Sequence, residues 1–223
     1  MSVFTSDEIA AFRARFPILA RTVHGKPLVY LDNAATSQMP ESVIASVAEF
    51  DRTKHANVHR GVHKLSQEAT DVHEGSRDRL AKFLNARRRE EIVLTKGCTE
   101  SINLVAHTWG RQNLKSGDVV LVSEIEHHAN IVPWQILSSA IGTRVVPIPA
   151  LDDGSLDQTE FVKLLDGAKG QVKLLAIQHV SNALGTIHPV KEMVAQAKSR
   201  GIATLVDGAQ SVPHMPVDVQ ELD

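Results

Sequence analysis

Asp207 closes an apolar run, Leu205-Val206-Asp207, and is followed by Gly208-Ala209-Gln210. A carboxylate at the carboxyl end of a predicted strand is placed to meet a cation, and a protonated pyridine ring is one that suits it. Three upstream stretches carry complementary chemistry: Lys96-Gly97-Cys98-Thr99-Glu100, Glu126-His127-His128-Ala129-Asn130 and His179-Val180-Ser181-Asn182-Ala183-Leu184-Gly185. In the first, a strand passes through glycine into a helix whose opening amides lack partners, so the Cys98 and Thr99 amides and the Thr99 hydroxyl can hold a phosphate. An ordinary helix cap is the alternative. In the second, a histidine at the sheet edge can lie flat on an aromatic ring and exchange a proton near neutrality; a pair of polar loop residues is the plainer reading. Asn182 can donate to a phenolic oxygen or a carboxylate, or simply form an Asx turn. Gln210 is suited to the same phenolic oxygen, and Asp207 has its own plainer readings, an ion pair or a helix cap.

A phosphate, an aromatic ring, a phenolic oxygen and a ring nitrogen held protonated together describe pyridoxal 5'-phosphate (PLP), whose ring accepts electrons released at a substrate's alpha carbon. Other residues invite different chemistry. His55, His59 and His63 are spaced by four, but Gly61 interrupts them and no cysteine or carboxylate joins at ligand spacing, so no metal site is expected. Cys98, at a helix amino terminus, has either a lowered pKa and reactivity or the role of a small packed residue beside the phosphate; the second is preferred.

These residues must be positioned by the elements around them. Thr5 and Glu8 have capping-box spacing ahead of Ile9, Ala10, Phe12 and Phe16, predicting a short amphipathic helix that ends before Pro17. Leu28 to Leu31 reads as a strand, followed by the loop Asp32-Asn33-Ala34-Ala35-Thr36 and a helix from Pro40 towards His55. A second helix is predicted from Leu65 to Leu84, with one buried face. From Glu91 onwards, apolar runs alternate with helical patterns: Ile92 to Leu94, Ser101 to Trp109, Val119 to Val122, Ile131 to Ile141, Arg144 to Ile148 and Thr159 to Leu165. Val172 to Ile177, Val190 to Lys198 and Ala203 to Val206 continue the pattern, with a turn at Asp152-Asp153-Gly154-Ser155. This alternation predicts an α/β fold, a mostly parallel sheet with helices on both faces and ligands beyond the strands' carboxyl ends, where the four stretches lie.

Composition narrows the function class. The 223 residues carry 24 Lys and Arg against 26 Asp and Glu, a net charge of −2, so no basic field favours nucleic acid or an anionic membrane. Cys98 is the single cysteine, which excludes an internal disulfide. Asp7 and Glu8 stand where a signal peptide needs positive charge, and no run of about 18 apolar residues occurs. Small-molecule chemistry in the cytoplasm is the expectation.

The motifs in order, with Tyr30-Leu31-Asp32-Asn33-Ala34-Ala35, Val58-His59-Arg60-Gly61 and Ile131-Val132-Pro133-Trp134, resemble the Suf-type (group II) cysteine desulfurases and selenocysteine lyases of the class-V aminotransferase superfamily. The resemblance runs from about Phe16 to Asp223. It implies PLP fold type I, a homodimer, and conversion of L-cysteine to L-alanine. Sulfur would leave as an enzyme persulfide, pass to a sulfur-acceptor protein of the Suf type and feed iron-sulfur cluster assembly. It places His127 on the cofactor ring, with PLP held by Cys98, Thr99, His127, Asn182, Asp207 and Gln210. Cys98 stands where relatives commonly have threonine, and Ala34, His59 and Arg60 would shape the entrance. It also implies that residues 1–27 form a helical segment packing with a small domain, and that 28–223 form the PLP-binding large domain, incomplete at its carboxyl end. The family's Schiff-base lysine, persulfide cysteine and carboxylate-clamping arginine find no counterpart here, so this stretch is expected to be a cofactor cradle, inactive by itself. Rival readings are a kynureninase-like hydrolase or an epimerase of the same superfamily, or an inactive truncated fragment that binds PLP or dimerises.

Overall fold

Thr5 and Glu8 do cap a helix. In a computed structural model, which describes residues 4–167 and 171–222, α1 spans Ser6–Arg13. The Glu8 amide donates to Thr5 Oγ1 at 3.3 Å and the Thr5 amide to the Glu8 carboxylate at 2.8 Å, satisfying two donors that the helix end would otherwise orphan. The sequence reading of Met1 to Ala11 covers Met1 to Val3, which lie outside the described residues. The chain forms two compact units, Met1–Ser76 and Arg77–Asp223.

In the first unit, β1 (Thr22–Val23) and β2 (Lys26–Pro27) make a minimal antiparallel hairpin that turns through His24 and Gly25, both at positive φ. The strand expected at Leu28 to Leu31 does not form. Its backbone finds no ladder among the described residues, and Val29 and Leu31 are 75% and 88% exposed. The Leu28 amide continues the hairpin, donating to the Arg21 carbonyl at 2.9 Å, but one such bond does not make a strand of an apolar run. Helix α2 is Glu41–Thr53, with Pro40 as its extended N-cap rather than its first helical residue. Helix α3, Lys64–Leu84, begins in this unit and ends in the second.

The loop before α3 is stitched to the helix by two hydroxyls. Ser66 Oγ donates to the Asn57 carbonyl at 2.6 Å and accepts from the Gly61 amide at 3.0 Å, and Thr70 Oγ1 accepts from the His59 amide at 3.0 Å. A Cβ on Gly61 would collide with Ser66 Cβ and Oγ, both part of this stitching. Gly61→Ala is therefore expected to destabilise the protein by about 1–3 kcal/mol, the usual cost of forcing a methyl group into filled space. A thermal melt reads it, and an unchanged midpoint would mean the loop is not seated on α3.

The second unit is a layered sheet. Helix α4 (Cys98–Val105) continues through a π turn, Ala106–Gly110, into α5 (Arg111–Asn113). Then come β3 (Val119–Ser123), α6 (Val132–Ile141), β4 (Arg144–Ile148), α7 (Gln158–Gly167) and β5 (Val172–Gln178). Helix α8 (Val190–Lys198), β6 (Ala203–Asp207) and α9 (Val219–Leu222) complete it. The four longer strands pair in the order β4-β3-β5-β6, all parallel, each successive pair of strands in the chain joined through a helix. The turn expected at Asp152 to Ser155 is present, with Gly154 at φ +79°.

Side-chain alternation explains why both faces are covered. Val120, Val122, Leu174 and Ala176 pack with Ile102 of α4 and with Trp134 and Leu137 of α6. Val119, Leu121, Val172, Leu175 and Ile177 point the other way, onto Phe161 of α7 and Val190, Met193 and Ala197 of α8. Val172 and Leu175 share a face despite a spacing of three because the register slips by one at Lys173, where Val119 pairs Val172 but Val120 pairs Leu174. Trp134 and Phe161 are fully buried, each contributing about 1.5–3 kcal/mol or more by leaving water. The strand expected at Ile92 to Leu94 is absent: the segment is extended but unpaired among the described residues, with Val93 68% exposed. No helix among the described residues is long and apolar enough to cross a membrane.

Candidate cofactor site

Strands β3, β5 and β6 end along one edge of the sheet, at Ser123, Gln178 and Asp207, with Gln178 and Asp207 paired in register. Ligands of parallel α/β sheets bind beyond such ends because helix amino termini and loops converge there.

Gly97 opens the site from the α4 side. Its φ of +156° is one that side-chain-bearing residues rarely adopt, while a Cβ there would meet no atom within 4 Å, so it is the backbone conformation that calls for glycine. No side chain caps α4. Thr95 Oγ1 turns instead to the Gly97 amide, 3.3 Å away, and to Ser101 Oγ, and the Glu100 carboxylate takes the Lys96 amide. The first amides of α4, those of Cys98 and Thr99, therefore lie at the positive end of the helix dipole without a side-chain cap.

Asp207 faces the same helix. It is 6% exposed, and its Oδ1 accepts from Cys98 Sγ at 3.1 Å and from the Ala209 amide at 2.9 Å. Among the described residues no lysine, arginine or histidine pairs with it, so the ion-pair alternative is not the one the fold uses. A buried carboxylate without a cation is costly, and a protonated ring nitrogen brought by a ligand would offset that cost. Burial, and then the hydrogen bond to Asp207 and its charge, push the Cys98 thiol up to about 12. The sulfur is consequently a protonated donor, half-buried against the core, and not an activated nucleophile.

His127 is the N-cap of a 3-10 turn, His128–Asn130, that follows β3. Its Nδ1 accepts the Ala129 amide at 3.1 Å, so the neutral ring carries its proton on Nε2. The ring is exposed, with His128 tilted 66° to it at 6.4 Å. Asn182 sits at the tip of an exposed turn after β5. There the Ser181 hydroxyl, not the Asn182 amide, accepts the amides of Ala183 and Leu184, so the Asx turn is not the device used. Gln210 is half-buried beyond β6, its carbonyl 2.7 Å from His214 Nδ1.

The remaining candidates belong to the first unit. Ala34 lies in an exposed turn, and Arg60 is exposed. His59 is held at φ +64° with Nε2 3.2 Å from Glu74 Oε1, and His73 meets its ring edge-on at 5.3 Å. The evenly spaced histidines do not converge: His55 turns to Asp51, and His63 Nδ1 accepts the Ser66 amide.

Several residues escaped the sequence reading. Glu126 is 9% exposed and takes three hydrogen bonds, while burial pushes its carboxyl above the usual range. His179 and His188 are buried with His179 Nδ1 and both His188 nitrogens unpartnered, and burial lowers the pKa of both rings. Only the position of Glu126 directly before the candidate stacking histidine was a signal.

Residues 29–223 match the family model described as aminotransferase class-V. The chain is 52% identical over 218 residues to the cysteine desulfurase of Pectobacterium atrosepticum, covering 98% of this chain and 53% of that protein. It is 49% identical over 221 residues to that of Escherichia coli K12, covering 99% and 53%. The apo structure of the cysteine desulfurase from Thermococcus onnurineus NA1 aligns with a TM-score of 0.86 at 41% identity, over 99% of this chain and 52% of that one. The Escherichia coli cysteine desulfurase CsdA aligns at 0.80 and 37%, over 100% and 53%. The chain spans about half the length of the curated relatives it matches. The α/β architecture with a parallel sheet, expected from the alternation of elements, is the one found.

Proposed function

The chain belongs to the aminotransferase class-V family, and from that premise we propose that it forms the cofactor-binding part of a Suf-type, PLP-dependent cysteine desulfurase. The enzyme would be a cytoplasmic homodimer that converts L-cysteine to L-alanine and passes sulfur, as an enzyme persulfide, to an acceptor protein for iron-sulfur cluster assembly. The observation that carries the reading is the buried Asp207 carboxylate, without a cationic partner among the described residues, beside the uncapped start of α4.

Bound PLP supplies an electron sink for charge released at the substrate's alpha carbon. The Cys98 and Thr99 amides would hold the phosphate, and Asp207, whose Oδ1 is anchored by Cys98 and Ala209, would keep the ring nitrogen protonated. His127 would stack on the ring; its Nδ1 is committed to Ala129, so any proton it donates would leave from Nε2. Asn182, whose amide the local turn does not use, and Gln210 would donate to the phenolic oxygen. Ala34, His59 and Arg60 are assigned to the entrance.

The family's Schiff-base lysine and persulfide cysteine have no counterpart among these 223 residues. A protein of these residues alone is expected to bind PLP noncovalently and release no sulfide from cysteine. The same assay on the protein as its native source makes it, with PLP and a thiol reductant, is expected to yield alanine and sulfide in equal amounts. Alanine formed without sulfide, or no reaction of that native protein with cysteine, would contradict the assignment.

A further inference from the structure

Glu126 stands at the junction of three elements. Its Oε1 accepts the Ser123 hydroxyl from the end of β3 at 2.6 Å and the Gln178 amide from the end of β5 at 2.8 Å. Its Oε2 accepts Asn130 Nδ2 at 2.9 Å, and Asn130 Oδ1 in turn accepts Trp134 Nε1 at 3.1 Å from the first turn of α6. All of these side chains are buried, Asn130 and Trp134 completely. Gln178 Nε2 donates to the Ile125 carbonyl, and the Asn130 amide donates to the His127 carbonyl at 2.8 Å. The turn that carries His127 is therefore tied at both of its flanks and to two strands through one carboxyl group.

The chain of bonds has a direction. An indole nitrogen only donates, so Asn130 must turn its oxygen to Trp134 and its amide nitrogen to position 126. The Gln178 amide also only donates. Position 126 must then accept on both oxygens, which a carboxylate does and a carboxamide does not: in either orientation a glutamine sets its NH2 against another donor.

We propose that Glu126 is a positioning residue, the accepting end of the directional chain Trp134 to Asn130 to Glu126 that sets the turn presenting His127. It acts through His127 and does not itself touch substrate or cofactor. The inference deepens the function proposed above, since it is the stacking role of His127 that gives the turn its purpose.

Reversing the chain tests it. Glu126→Gln leaves donor facing donor, and the Ala129 amide, whose hydrogen bond to His127 Nδ1 reports the turn, is expected to exchange at least about tenfold faster in the PLP-free protein. PLP affinity is expected to fall about tenfold with it. Adding Asn130→Asp restores the order, because the carboxamide now at position 126 donates to the carboxylate now at position 130, whose other oxygen still accepts Trp134 Nε1. The double variant is expected to recover Ala129 protection and the His127 ring signals in NMR spectra, and most of the affinity. A residue that merely filled space would not be rescued by a charge moved to its neighbour. Silence of Glu126→Gln, or a double variant no better than the single one, would overturn the inference, including the case in which both fail to fold. A parent protein that ignores PLP while its His127 and Ala129 signals follow the expected pattern would overturn the proposed function and uphold this inference.

Discussion

Asp207→Asn is expected to weaken PLP binding about 100-fold while leaving the PLP-free protein at least as stable as its parent. The two effects have one cause. Asparagine keeps an oxygen for the Cys98 thiol and the Ala209 amide, the two donors now served by Asp207 Oδ1. It loses the negative charge that the fold buries with no cation beside it among the described residues. In the PLP-free protein that charge is a desolvation cost, so removing it does no harm. In the complex the charge faces a protonated ring nitrogen, and breaking a buried charge pair costs roughly 3 kcal/mol or more. Stability and binding thus move in opposite directions, as they do where a site is kept strained for its ligand. Titration with PLP and thermal melts of both proteins check the pair of outcomes. Equal affinity, or a strongly destabilised variant, would show that Asp207 serves the fold and not a ligand.

The second large effect concerns Cys98. With its thiol pushed from an ordinary value of 9.0 to about 12, the thiolate population near pH 8 is lowered by about a thousandfold. Iodoacetamide at pH 8 is therefore expected to leave Cys98 unmodified in the native protein over a time that fully alkylates the denatured chain. Mass spectrometry after quenching reads both. Asp207→Asn should speed native alkylation, because the carboxylate's charge helps hold the proton on sulfur and is lost while an acceptor oxygen remains. Between pH 9 and about 12 the folded state binds the thiol proton more tightly than the unfolded state does, so this group's contribution to stability is complete below pH 9 and declines as pH rises through that window. Rapid native alkylation would mean that the thiol is not seated on Asp207.

What could be read in the sequence followed from local physics. The alternation of apolar runs with helical patterns gave β3, β4, β5 and β6 in their places because both faces of a parallel sheet are buried and each strand must be a short apolar block. The same reasoning failed at Leu28 to Leu31 and at Ile92 to Leu94. Those runs have the composition of strands, but a strand also requires a neighbour to complete its hydrogen bonds, and a partner is not written in the run itself.

The site divides along the same line. Gly97 before an apolar helix, and Asp207 at a strand end, carry their meaning in a few consecutive residues. The contact between Cys98 and Asp207 joins positions 109 apart, and only the folded sheet shows that the thiol is a donor. Glu126 reads as one more charged residue near a turn until β5 brings the Gln178 amide to it from 52 positions away. Asn182 shows the reverse case: its composition suggested an Asx turn, and the neighbouring Ser181 does that work instead.

If the carboxyl edge of this sheet is a PLP cradle, amide NMR spectra recorded during titration with PLP will show it. Saturable shifts are expected at Cys98 and Thr99, at the His127 turn and at the residues following Asp207, with pyridoxal lacking the phosphate sparing the Cys98 and Thr99 signals. Shifts confined to other regions, or none at PLP concentrations that saturate the protein's relatives, would contradict it.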